Sequence, residues 1–413
     1  MTGAPGLVAR TARLDRDVDL GAVAGDHGVL FSRNRIGFAG RGVAARLPRH
    51  EALAALGAIA TEGSPTADVQ PGTGPVAFGA LPFLPGAPAE LVVPALVVAR
   101  DADGTRWITT VAPTDAPEPD ALALLDDALA DAVAPGTRPG PSSFDVRATR
   151  PPGEWTDAVA TATARIRAGE LDKVVLAREV VVTADDAIPV ATVLTRLGQA
   201  FPDCFLYLVD GYCGASPELL VSRTGDVVRA QPMAGTAPRR GDPAADARLA
   251  ANLLASPTYR HEHQVTIDAV HDGLLAFSSY VDYEPEPSVV ALANVAHLAT
   301  SVEGRLSHPP ASVLELVEAL HPTPAVCGRP RDAALAVIAE LEGFDRGRYA
   351  GAVGWVDAAG NGQWAVGIRG ADIDGNVARV VGGNGIVGDS DPPTELIETR
   401  AKLQAMLAAI VRP

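Results

Sequence analysis

Residues 382–400 read GGNGIVGDSDPPTELIETR, and the fold turns on how they are read. Glycines with successive free N–H groups suit an oxyanion, which a backbone nest or a helix N-terminus attracts. Glu395 and Glu398, a few residues on, repel that same anion. Either Gly382, Gly383 and Gly385 form a plain strand-to-helix turn, or something positive stands between the glutamates and a ligand. A dinucleotide site needs more: a strand, loop and helix opening a parallel βαβ unit, with an acidic residue on the next strand. The element that follows the glycines is the last helix of the sequence, so that reading is disfavoured.

Composition narrows the classes. The 413 residues, 47% of them hydrophobic, bury a large core as one big domain or two smaller ones. A net charge of −16, from 34 basic and 50 acidic residues, argues against a nucleic-acid or membrane-surface partner, which asks for a basic stripe. Cys204, Cys213 and Cys327 lack metal-ligand spacing and are odd in number, which fits a reducing compartment. No stretch is long and apolar enough to cross a bilayer and the start lacks an apolar signal core, so a cytoplasmic protein is expected.

Turn signals divide the chain into elements. Residues 1–143 predict hairpins and two helices, among them the hairpin GVLFSRNRIGFAG and another turned by Asp103-Gly104. The run APGTRPGPSS, 134–143, reads as a linker. Residues 144–413 repeat the mixture on a larger scale: the strand KVVLAREVVV, a meander through CFLYLVDG and ELLVSRTGDVVRAQ, helices between Pro243 and Phe277 and near 311–320 and 330–342, three strands from Tyr349 to Val387, and a last helix. Long meanders with helices outside predict an α+β fold rather than alternating βαβ units.

Polar residues inside apolar runs are candidates for chemistry. In LDKVVLAREV, alternation places Lys173, Val175 and Ala177 on one strand face. Taken alone such a lysine is a solvated edge residue; facing inward, it is desolvated and becomes a plausible base. Glu218 in GASPELLVSR reads by itself as a turn carboxylate. His261, Glu262 and His263 are consecutive on one helix, point in different directions and do not form the two-histidine zinc motif.

Taken together and in order, LDKVVLARE, SPELLVSR, QPMAGTAPR, RHEHQV, NVAHLAT, HPTPAVCG, GFDRGRYAGAVGW, WAVGIRGADI, GGNGIVGDSD and ELIETRAKL resemble the chorismate-utilising enzymes, which include isochorismate, salicylate, anthranilate and aminodeoxychorismate synthases. The resemblance covers residues 150–410, with the first third matching the family's variable N-terminal part. It implies the chorismate-binding fold, with large antiparallel sheets packed face to face. Lys173 together with HPTPA points to isochorismate synthase: aminating relatives carry Gln at the lysine, and salicylate synthases carry Thr at Ala325.

The resemblance also implies roles. Mg²⁺ is held by Glu262 and Glu398, with Glu395 beside them, and carboxylate oxygens suit that hard cation. The cation turns the acidic patch into a clamp for the ring carboxylate of chorismate. Lys173 is the base that activates water at ring C2 and Glu218 the acid that releases the C4 hydroxyl; the reaction asks for a neutral amine and a neutral carboxyl, and burial favours both. Arg369, placed in the strand WAVGIRGADI, forks onto the enolpyruvyl carboxylate with help from Tyr349. Gly235, Thr236, Gly383 and Lys402 serve the ring carboxylate, and His297 and Ala325 line the pocket. Isochorismate feeds siderophore, salicylate or menaquinone synthesis. No amidotransferase subunit is implied, and a monomer is expected. Thr258-Tyr259 departs from the family's Lys-acid pair and removes one acid beside the metal; Val326 replaces a leucine.

Overall fold

The computed structural model describes residues 6–63, 71–132, 140–239, 241–292 and 295–411; most of the 134–143 linker therefore lies outside the described residues. Alternation of large apolar residues builds two extended sheets, and their pairing runs across the whole sequence. In the 13-stranded sheet the segment Lys173–Ala184 lies between Phe144–Ala148 and Val377–Ile386; beyond these come Gly370–Asp374, the hairpin Phe205–Val209 with Tyr212–Ser216, and then Val29–Arg33. The 9-stranded sheet places Leu219–Thr224 beside Gly362–Val366, then Ala352–Asp357 and Val76–Ala80. A small third sheet joins Met233–Pro238, Val295–Ala299 and Ser288–Ala291.

Among the described residues pairing is antiparallel almost throughout, with Leu7–Arg13 and Ala60–Glu62 the parallel pair. The strands before residue 143 complete both sheets, running from the seam out to one edge of each: Tyr207 pairs with Phe31 in one, and Trp355 with Phe78 in the other. The two large sheets pack face to face. Phe31, Phe38, Phe205 and Tyr207 from one share a core with Phe78, Val353, Trp355 and Ala365 from the other, Phe38 and Trp355 having centroids 4.5 Å apart. Each such buried side chain contributes about 1.5–3 kcal/mol.

Helices cover the outer faces because their apolar residues form one stripe. Val190–Ala200 buries Val190, Val193, Leu194 and Leu197, the i, i+3, i+4, i+7 pattern. Val313–Leu320 starts at Ser312, whose side chain and that of Glu315 cap each other's backbone N–H. Two details differ from the sequence expectation. Tyr349 to Val387 holds four strands rather than three, because the chain breaks between Val366 and Gly370. Arg369 falls in that break, with φ +55°, and not in a strand. Gly382, Gly383 and Gly385 are the reverse case: they lie inside the strand Val377–Ile386, opposite Arg178, Ala177 and Val175. Among the described residues, no helix is long and apolar enough to cross a membrane.

Candidate active site

A cleft of about 470 Å³ opens between the sheets. Every residue to which the resemblance gave a site role lines it: Lys173, Glu218, Gly235, Thr236, Glu262, His297, Ala325, Tyr349, Arg369, Gly383, Glu395, Glu398 and Lys402. Lys173 begins its strand in the 13-stranded sheet, whereas Glu218 immediately precedes Leu219–Thr224 in the 9-stranded sheet, so the two enter from different layers. Lys173 is 5% exposed and is not a solvated edge residue. Its Nζ donates to Glu262 Oε1 at 2.7 Å.

Glu218 is 3% exposed, and burial pushes its carboxyl up to about 8, against the weaker opposing effects of the Met233 N–H and the charges of Lys173 and Arg369. A carboxyl in that range holds a proton near neutrality and can donate it. Gly385 makes the lysine's position possible. A Cβ there would meet Lys173 Cε at 2.7 Å and both Lys173 Nζ and Glu262 Oε1 at 3.2 Å.

Three carboxylates gather at the other end. Glu262 comes from the helix Pro257–Leu275, and Glu395 and Glu398 from Pro392–Val411. Lys402 Nζ lies 2.7 Å from Glu398 Oε1 and donates to Gly383 O at 3.1 Å. Ser390 Oγ and Asn384 Nδ2 donate to Glu395 at 2.7 and 3.0 Å, yet burial and the neighbouring Glu398 keep its carboxyl above the ordinary value. Burial also raises Glu262, but the charge and hydrogen bond of Lys173 outweigh it and the carboxyl ends below the ordinary value. Among the described residues no three acidic, His or Cys side chains form a ready coordination sphere, since Glu262 and Glu398 are each turned to a lysine. The donors are hard oxygens. Excess negative charge here, enough to raise the Tyr259 phenol after burial has done so, fits a hard dication held by Glu262 and Glu398.

Arg369 and His297 form a second unit. The guanidinium has donors only, so His297 Nε2 accepts from it at 3.3 Å, and the Nδ1 hydrogen is left for Thr236 Oγ1 at 3.0 Å. Burial, helped by the charges of Arg369 and Lys402, holds the His297 imidazole well below its ordinary pKa, so it stays a neutral acceptor. The side chains of the RHEH run diverge, as helical geometry demands: Glu262 faces the cleft, while His263 is 1% exposed with Nε2 2.8 Å from Thr300 Oγ1.

Sequence reasoning missed some contributors. Asn384 and Ser390 orient Glu395, although both sit inside the GGNGIVGDSD motif. Tyr259 packs on Gly235, where a Cβ would lie 3.4 Å from its own Cβ, and faces the carboxylates. Arg346, buried and 2.5 Å from Glu342, donates to Val175 O at 2.7 Å and Val326 O at 2.8 Å. It thereby ties the Lys173 strand to the segment carrying Ala325. Its signal was an arginine in GFDRGRYAG, read only as part of a motif.

With this geometry in place, comparison decides the family. The chorismate binding enzyme family matches residues 52–411. The chain is a member of the chorismate-binding enzymes. The family match begins well before residue 143, in keeping with sheets that incorporate the first third. Isochorismate synthase MenF of Bacillus subtilis is 33% identical over 357 residues, covering 82% of this chain and 75% of the relative. Isochorismate synthase DhbC of the same organism is 39% identical over 279 residues, covering 65% and 70%. Among solved structures, MenF, the menaquinone-specific isochorismate synthase from Escherichia coli, superposes with a TM-score of 0.83 at 26% identity, covering 98% of this chorismate-binding enzyme and 95% of that chain.

Proposed function

We propose that this enzyme is an isochorismate synthase, converting chorismate to isochorismate with Mg²⁺. The observation that carries the reading is that buried Lys173 and buried Glu218, whose carboxyl burial pushes up to about 8, enter one cleft from different sheets. Lys173 is paired with Glu262 as an ammonium; once it gives up that proton, the neutral amine takes a proton from water as the water oxygen bonds to ring C2. The ring double bonds shift, the C4–O bond breaks, and Glu218 supplies the proton with which the hydroxyl departs as water. Arg369 forks onto the enolpyruvyl carboxylate while His297 holds the guanidinium in place. A Mg²⁺ ion held by Glu262 and Glu398, with Glu395 beside them, supplies the positive charge that the ring carboxylate needs. Lys402 and the backbone at Gly235 and Gly383, with Thr236, line the place for that carboxylate; Tyr349 and Ala325 complete the wall.

The deciding assay incubates purified protein with chorismate and Mg²⁺ near neutral pH and separates products by chromatography. Isochorismate in an equilibrium mixture with chorismate is the expected result, and an ammonium salt changes nothing. Salicylate with stoichiometric pyruvate, or an amino-substituted ring formed with ammonia, overturns the assignment.

A further inference from the structure

Arg369 occupies an irregular place. It sits between the strands Gly362–Val366 and Gly370–Asp374 with φ +55°, a left-handed conformation that a residue with a Cβ holds only when its surroundings impose it. Leaving the ladder at Val366 frees three successive carbonyls, each of which needs a donor. Gly367 O accepts from the Tyr212 hydroxyl at 2.7 Å and from Ala350 N at 2.7 Å. Ile368 O accepts from the Tyr207 hydroxyl at 3.1 Å, and Arg369 O from Ala215 N at 3.1 Å.

The two phenols that supply these bonds are deep in the core. Tyr207 is 0% and Tyr212 2% exposed, with ring centroids 5.2 Å apart, on adjacent strands of the large sheet. Space beside them is reserved. A Cβ on Gly214 or Gly370 would fall 2.4 or 2.1 Å from the Tyr207 hydroxyl oxygen. Packing alone gives no reason for a buried hydroxyl at both positions, because phenylalanine fills the same volume without a polar atom to satisfy. Both hydroxyls are spent on one four-residue bend, from which Arg369, beside Ile368, reaches into the cleft. The bend is shared with the facing turn: Ala350, φ +61°, follows Tyr349 and donates to the same Gly367 carbonyl that Tyr212 holds.

We infer that Tyr207 and Tyr212 are positioning residues that fix the 366–369 bend, aiming the Arg369 guanidinium at the carboxylate of the substrate's side arm. The inference rests on the proposed role of Arg369 as the carboxylate fork. Losing the Tyr207 hydroxyl removes the donor to Ile368 O, and losing the Tyr212 hydroxyl leaves Gly367 O held by Ala350 N alone; either loss lets the left-handed residue relax and takes the guanidinium out of register with both oxygens. The loss falls on binding more than on turnover, because the arm carboxylate lies away from the bonds that change.

The test is a cycle of Tyr207→Phe, Tyr212→Phe and Arg369→Ala, singly and combined, read by KM and kcat for chorismate and by Tm. Each Tyr→Phe change is expected to raise KM roughly threefold to tenfold, the worth of one net hydrogen bond, with kcat changed less than about twofold. In the Arg369→Ala background the same changes leave KM where it is, since no fork remains to aim. If Arg369→Ala raises KM but the Tyr→Phe variants alter only Tm, or if their effects add fully in that background, the inference falls and the role of Arg369 stands. Should Arg369→Ala leave KM unchanged, both fall together. If Tyr212→Phe does not fold, the Tyr207→Phe arm decides alone.

Discussion

Glu218 illustrates how one residue couples stability to chemistry. Its folded pKa of about 8 stands above the ordinary 4.5, so the folded state retains a proton that the unfolded chain has lost across that window. Stability from this group is therefore full below the unfolded value and is lost as pH rises through about 8. Glu218→Gln keeps the volume without the titration. Its turnover is expected to fall by about 10²–10⁴, while its Tm at pH 8 rises relative to the parent, as is common for residues kept for activity. A variant with lower Tm and unchanged turnover would remove Glu218 from the acid role. The wild-type rate should also decline on the alkaline side near pH 8, measured as kcat/KM. Lys173→Ala is expected to lose a similar factor in rate. For the metal, exhaustive EDTA treatment should abolish activity and added Mg²⁺ restore it, and Glu262→Gln or Glu398→Gln should bind Mg²⁺ more weakly in calorimetry.

At the level of elements, the strand Val377–Ile386 works by what it omits. Gly385 faces Val175 across the ladder and leaves room for the Lys173–Glu262 pair. Gly385→Ala places a methyl group within 2.7 Å of Lys173 Cε, which has to move. Relieving the contact shifts the lysine end by roughly 1 Å, and a misplacement of that size at a reacting group costs about 10²-fold in rate, so kcat should fall by about that factor while circular dichroism still reports a folded chain. Full activity in this variant means that the lysine has slack. Motif and spacing made the glycines conspicuous, but a one-dimensional reading placed them in a loop. The pairing partner that makes them a strand lies two hundred residues away, in Lys173–Ala184. Arg369 was misplaced for the same reason: WAVGIRGADI alternates like one strand, and the bend at 366–369 exists because distant donors on Tyr207, Tyr212 and Ala215 satisfy it.

For the molecule as a whole, the seam between the first third and the remainder sets cooperativity. Phe31 against Tyr207 and Phe78 against Trp355 are pairings inside continuous sheets, not a contact between separable bodies. A chain of residues 144–413 alone would expose two unpaired strand edges, at Phe205–Val209 and Ala352–Asp357, and about half of the inter-sheet core. Such a fragment is expected to aggregate, whereas the full chain unfolds in one transition by calorimetry; a soluble, folded fragment would show that the seam is dispensable. The sequence by itself determined the α+β class, because strand and helix periodicity is written in neighbouring positions, and its resemblance to the chorismate-utilising enzymes pointed to the residues of the cleft. Only the tertiary structure decided which strands pair, that Glu218 is buried and its carboxyl thereby pushed up to about 8, that Glu262 and Glu398 each face a lysine, and that buried hydroxyls hold the Arg369 bend. Those properties depend on burial and on partners distant along the chain, which no window of sequence contains.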